Sequence, residues 1–139
     1  MNETKTNVTI FTDGGSRGNP GHSAYGFVIY KNGGKLFSEG SYLGIQTNNF
    51  AEYTAVIKAL DWIKNTLTGA SKITLYCDSL LVASQLSGKY KVKHPVIKQL
   101  VRKVKVIESF LPEVNYRHVP REQNKEADSL VNQALDNIS

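Results

Sequence analysis

The sequence predicts an α/β fold: a five-stranded mixed sheet, an antiparallel meander followed by parallel strands, flanked by helices. Three observations predict it. Short runs that alternate apolar and polar residues open the chain, separated by glycine-rich turns. From Asn49 the apolar period changes to that of a helix. Strand and helix patterns then alternate, which calls for parallel neighbours joined by helices. With 139 residues and no internal repeat, low-complexity tract or linker, residues 1–139 are expected to form one domain.

The first strand is NVTIFTD, read from about Val8 to Asp13. Residues 12–21, TDGGSRGNPG, contain four glycines and read as a turn after the terminal acid, because glycine supplies positive φ and Asp bonds its own backbone. YGFVIYK is the second strand, NGG a hairpin turn, and KLFSEGSYLG the third strand. Ala55, Val56, Ala59, Leu60, Ile63 and Leu67 then follow helical spacing, with Asn48 or Asn49 available as the cap. KITLYCD is a fourth strand, and SLLVASQLSG a short helix stopped by Gly88. A basic amphipathic helix starts near Pro95 and ends before Pro112. EVNYRHV is the fifth strand, and NKEADSLVNQALDNI a last helix with one apolar stripe, capped by Asn124.

Composition narrows the function classes. No apolar run approaches the ~18 residues of a membrane span, and MNETKTNVTIFTDGG lacks the apolar core of a signal peptide. Cys77 is the single cysteine, so no intramolecular disulfide or thiolate zinc cluster forms, and a reducing, cytoplasmic setting fits. The net charge is +5, and seven of the 17 basic residues fall between Lys89 and Lys105, where there is no acid. That stretch is either a solvated helix face or a surface for phosphates.

Four acids stand in unusual places. Asp13 and Asp78 each close a strand; if those strands are parallel neighbours, both acids emerge where open α/β sheets bind ligands. Glu52 lies on the stripe of the first long helix that faces the core, and Asp128 at the edge of the stripe of the last. Taken singly, each could be a helix- or turn-capping group. Converging, they would repel unless a cation sat among them, and an all-oxygen donor set selects Mg²⁺ or Mn²⁺. Two such ions are able to activate water and stabilise a leaving oxygen in phosphodiester displacement.

In TDGGSRGNPG, TNNFAEYTAVIKAL, LYCDSLLV and HVPREQNKEADSLVNQA, in this order, the chain resembles a type 1 ribonuclease H over nearly its whole length. The resemblance implies the ribonuclease H-like fold and hydrolysis of the RNA strand of RNA–DNA hybrids to 5′-phosphate and 3′-hydroxyl ends. It implies two Mg²⁺ ions, with Mn²⁺ as substitute. Asp13 would bridge both ions, Glu52 and Asp78 would hold the one on the leaving-group side, and Asp128 would complete the site of the attacking water. Gly14, Gly15, Ser16 and Asn19 would approach the minor groove, where 2′-hydroxyls are exposed. Asn48 and Asn49 would read that groove, and Thr47 would contact a DNA phosphate.

The chain also departs from the family. Leu80 stands where a glutamine is frequent, and GKYKVKHPVIK is shorter than the lysine-rich protrusion of some members. His118 stands where the family's product-releasing histidine would, yet also reads as the end of strand five; Arg121 and Glu122 are the other candidates for that role. Rival readings are a catalytically silent hybrid-binding module, a resolvase- or transposase-type nuclease, and further activity on double-stranded RNA. A monomer is expected, with no membrane partner.

Overall fold

Strand β1, Asn7–Gly18, continues past Asp13, in a computed structural model that describes residues 5–138. It pairs antiparallel with β2, Gly21–Lys31, all the way from Val8↔Lys31 to Gly18↔Gly21. The expected turn directly after Asp13 is therefore corrected: residues 14–18 are strand, and the chain reverses only at Asn19 and Pro20. Pairing satisfies the backbone whatever the side chain, and glycine serves a different purpose here. A Cβ on Gly14 would lie 2.2 Å from the Ala51 carbonyl carbon and 2.4 Å from the Glu52 nitrogen, so a side chain would push the first helix off the strand.

Asn32 and Gly33, at φ 50° and 85°, make the hairpin turn into β3, Gly34–Gln46, as the NGG signal predicts. Helix α1 spans Asn48–Thr66, and its cap is Thr47, whose hydroxyl accepts from the Phe50 N–H at 3.1 Å. Neither asparagine caps it, a correction to the expectation, because both lie already inside the first turn. Strand β4 (Lys72–Cys77), helices α2 (Leu80–Leu86) and α3 (Pro95–Glu108), β5 (Val114–His118) and α4 (Lys125–Asp136) complete the predicted order. A single 3₁₀ turn, Arg121–Gln123, precedes α4.

The sheet order is β3-β2-β1-β4-β5, antiparallel among the first three strands and parallel from β1 to β4 and β4 to β5. Alternate residues of the strands, Ile10, Phe27, Ile29, Ile73 and Leu75, bury against α1, α2 and α3 in the main core. Helix α4 covers the opposite face over β1, β2 and β3, burying Val131 and Leu135 against Ala24.

Its seat is a pair of cross-strand glycines. Gly26 pairs with Gly40, and a Cβ on either would come within 2.7 Å of a carbonyl oxygen of α4, that of Ala127 or of Leu130. Gly26 also pairs with Asp13 on its other side, so the close seat of α4 carries Asp128 toward Asp13. At the helix start the Tyr30 hydroxyl donates to Glu126 at 2.5 Å and the Lys35 ammonium donates to the same carboxylate. These donors hold the Glu126 carboxyl below its ordinary range.

Gly26→Ala is expected to lower stability by about 1–3 kcal/mol, read from the urea midpoint, because backbone rather than a movable side chain must give way. Gly34→Ala, whose Cβ would meet nothing nearer than an oxygen at 3.7 Å, is expected to stay within about 0.5 kcal/mol.

Candidate active site

Parallel register between β1 and β4 pairs Thr12 with Cys77 and stops there, so Asp13, midway along β1, and Asp78, just past the end of β4, stand side by side where the two strands part. Glu52 arrives from α1 because the glycine contact lets that helix lie directly on β1. The Gly14 N–H donates to Glu52 Oε1 at 2.5 Å, so the amide next to one acid positions another. Asp13, Glu52 and Asp78 each offer one oxygen within 4.8 Å of the other two. Asp13 and Glu52 are both only 7% exposed, which makes the cluster a buried one. Asp128, half-buried, stands beside Asp13 and accepts a hydrogen bond from the Asn132 amide at 3.3 Å.

Burial, then the charges of Glu52 and Asp78, holds the Asp13 carboxyl well above the usual carboxylate range, and the neighbouring Glu52 and Asp128 carboxyls raise it further. Burial also pushes Glu52 up, as does the charge of Asp78. Its hydrogen bond with Asp13, the Gly14 N–H and the charge of Arg121 bring it part of the way back. The donor set fits a hard divalent cation: the cluster consists of carboxylates alone, and a cation among them would replace the protons this crowding retains.

Asn124 was expected to cap α4, and it does occupy the N-cap position, but its side chain makes no capping hydrogen bond. At 1% exposure its amide instead donates to the Thr12 carbonyl at 2.8 Å and to Asp78 Oδ2 at 3.4 Å, while its Oδ1 has no protein partner. The side chain thus ties the middle of β1 and the end of β4 to the start of α4. Sequence spacing shows an asparagine before a helix and cannot show which way it turns.

The predicted substrate contacts gather on the other flank of the acids. Asn48 Oδ1 accepts from the backbone N–H and hydroxyl of Ser16, at 2.8 and 3.1 Å. Asn19 Oδ1 accepts from the Asn48 N–H at 3.0 Å. Both oxygens face protein, which leaves the two amide NH₂ groups as outward donors. Asn19, Thr47, Asn48 and Asn49 line one groove of about 520 Å³, together with Gln46 and His94, which the sequence reading missed. The signal for His94 was the HP pair ahead of α3: its ring accepts from the Val96 N–H at 3.2 Å as the helix cap.

Gly15 follows Gly14 along β1, on the Ser16 side. Arg121 and Glu122 are exposed in the 3₁₀ turn, with the charge of Arg121 acting on Glu52. His118 is exposed at the end of β5, paired with Cys77, and makes no hydrogen bond to the acids among the described residues.

Acids placed where two parallel strands part, joined by an acid from each of two flanking helices, make the all-carboxylate cluster of a protein that holds divalent metal ions. A family pattern described as reverse transcriptase-like matches residues 11–134. The chain is 40% identical over 131 residues to the bifunctional protein Rv2228c of Mycobacterium tuberculosis, covering 93% of this chain and 35% of that one. It is 38% identical over 130 residues to ribonuclease HI of Halobacterium salinarum, covering 93% of this chain and 64% of that one. The chain thus spans between a third and two thirds of the length of these relatives. Among solved structures, LC11 ribonuclease H1 in complex with an RNA/DNA hybrid superposes with a TM-score of 0.89 at 39% identity, covering 93% of this chain and 96% of that one. This chain belongs to the reverse transcriptase-like family, among its type 1 ribonucleases H, a family of metal-dependent hydrolases.

Two outcomes are expected from the site alone. Asn124→Ala leaves the Thr12 carbonyl without its buried donor and is expected to lower stability by about 1–3 kcal/mol in chemical denaturation. The folded metal-free protein retains protons on Asp13 and Glu52 that the unfolded chain releases above about pH 4. This contribution to stability is complete below that pH and is lost as pH rises. In EDTA the melting temperature is therefore expected to fall from pH 5 to 8 through this contribution, and to fall less in Asp13→Asn.

Proposed function

We propose that this chain is an endoribonuclease of one domain that hydrolyses the RNA strand of RNA–DNA hybrids, leaving 5′-phosphate and 3′-hydroxyl ends. The observation that carries the reading is the cluster of Asp13, Glu52 and Asp78, with oxygens within 4.8 Å of one another, beside a groove of outward amide donors. The hybrid held by LC11 ribonuclease H1 supports the choice of substrate.

Asp13, Glu52, Asp78 and Asp128 would hold two Mg²⁺ ions, with Mn²⁺ able to substitute. The ions supply Lewis acidity, which makes water a nucleophile near neutral pH and stabilises the leaving oxygen. The rest of the work falls to the protein. Gly14 fixes Glu52 through its N–H, and Asn124 fixes the rotamer of Asp78. The amides of Asn19, Asn48 and Asn49 donate into the minor groove, whose base edges and 2′-hydroxyls offer acceptors. The Thr47 hydroxyl, already accepting from Phe50, has its proton left for a phosphate oxygen. Arg121 places a cation near the carboxylates, suited to steady the phosphate as product leaves, with His118 and Glu122 as the other members of that flank. A monomeric, cytoplasmic enzyme fits a substrate formed where nucleic acids are copied.

An end-labelled hybrid incubated with Mg²⁺, Mn²⁺ or EDTA tests the reading, with single-stranded RNA, duplex DNA and duplex RNA alongside. Metal-dependent cutting of the hybrid's RNA strand is expected; intact hybrid bound without cutting would leave a silent binding module instead. Asp13→Asn is expected to lower the rate by more than the roughly 10–100-fold typical of losing an outer-shell partner of a metal site.

A further inference from the structure

On the side of Asp78 away from the asparagine groove lies a second groove of about 250 Å³, open along the edge strand β5. It begins beside the acids, at Leu80 and His118, and runs between α2 and β5 past Ser84 to Lys89 and Arg117. The basic stretch between Lys89 and Lys105 starts here. Gly88, at φ 84°, ends α2 and turns the chain so that the Lys89 N–H donates to the Ser84 carbonyl at 2.8 Å. That bond fixes the position from which the lysine side chain leaves.

Lys89 and Arg117 are both exposed, and the ion pairs among the described residues use other cations: Arg17, Lys35 and Lys105. Two unpaired cations therefore face one groove. Past Arg117 the groove continues into a cavity of about 390 Å³, where Lys105 is engaged by Glu108 and where Glu113 adds a second acid. Arg117 stands at the junction and lines both, so the groove nearest the carboxylates carries cations with no acid among its lining residues, while the cavity beyond balances Lys105 and Arg117 against Glu108 and Glu113. A chain of phosphates leaving the acids meets Lys89 and Arg117 before it reaches Glu108 or Glu113.

We infer that Lys89 and Arg117 form a phosphate-binding subsite for the strand that is cut, gripping its backbone beyond the acids on the side opposite the asparagine groove. The inference rests on the reading of the chain as a hybrid nuclease. It gives the enzyme a hold on the cleaved strand that does not pass through the minor groove and that replaces part of the grip of a longer lysine-rich protrusion. Contacts of this kind carry no base information and act by releasing counterions.

Hybrid binding is measured by fluorescence anisotropy across a salt series, with Asp13→Asn in the background to keep the probe intact, for the parent and for Lys89→Ala with Arg117→Ala. Each phosphate contact adds about 0.7–0.9 to the slope of log K against log salt, so the double variant is expected to flatten it by about 1.4–1.8. Both side chains are exposed, and a circular dichroism melt confirms that the variant is folded. Cleavage by the protein with Asp13 intact is run in parallel. A protein that cuts the hybrid, with slopes that are equal in parent and double variant, overturns this inference alone. A protein that neither cuts nor binds the hybrid overturns the underlying reading and this inference with it.

Discussion

Mutual repulsion among carboxylates taken out of water is the constraint on which the rest of this structure depends. Asp78 and Asp128 stand against Asp13 and Glu52, and the latter two, nearly buried, hold their protons more tightly than an ordinary carboxyl because of burial and these neighbours. Left free, such side chains would rotate toward solvent and separate. Directed donors hold them in place: the Gly14 backbone N–H to Glu52 and the Asn124 side-chain amide to Asp78. The arrangement stores an affinity for divalent cations, since a cation relieves at once what burial and like charge impose.

Three glycines set the distances in that cluster. Gly14 lets α1 lie on β1, while Gly26 and Gly40 let α4 lie on β2 and β3. The two helices approach from opposite faces of the sheet, and each brings one acid to Asp13. Flexibility is not what these glycines contribute; all three sit within paired strands, and what matters is the missing side chain. The Tyr30 and Lys35 bonds to Glu126 fasten the start of α4, although an exposed ion pair of this sort adds little stability by itself.

Around the acids, donors and cations are divided by kind. Amide donors of Asn19 and Asn48 stand on one flank, held by bonds that orient their oxygens inward. Unpaired cations stand on the other, where β5 ends the sheet. Amides suit the acceptors of a groove and cations suit a backbone, so the two flanks offer different chemistry to one extended ligand.

The sequence alone determined the order of elements, the hairpin at Asn32 and Gly33, and the sheet with its antiparallel and parallel parts, because hydrophobic period and turn chemistry are local properties. It misread the glycines after Asp13 as a turn, since a glycine needed for conformation and one needed for space look the same in one dimension. It placed Asn48, Asn49 and Asn124 at helix starts but assigned the capping role to them, when Thr47 caps α1 and Asn124 reaches across to Thr12 and Asp78. Gln46 and His94 went unseen because their groove joins segments far apart in the chain. Only the tertiary structure decided which side chains share a proton, which face solvent and which remain unpaired, for these depend on distances of a few ångströms between elements that helical and strand periodicity do not encode.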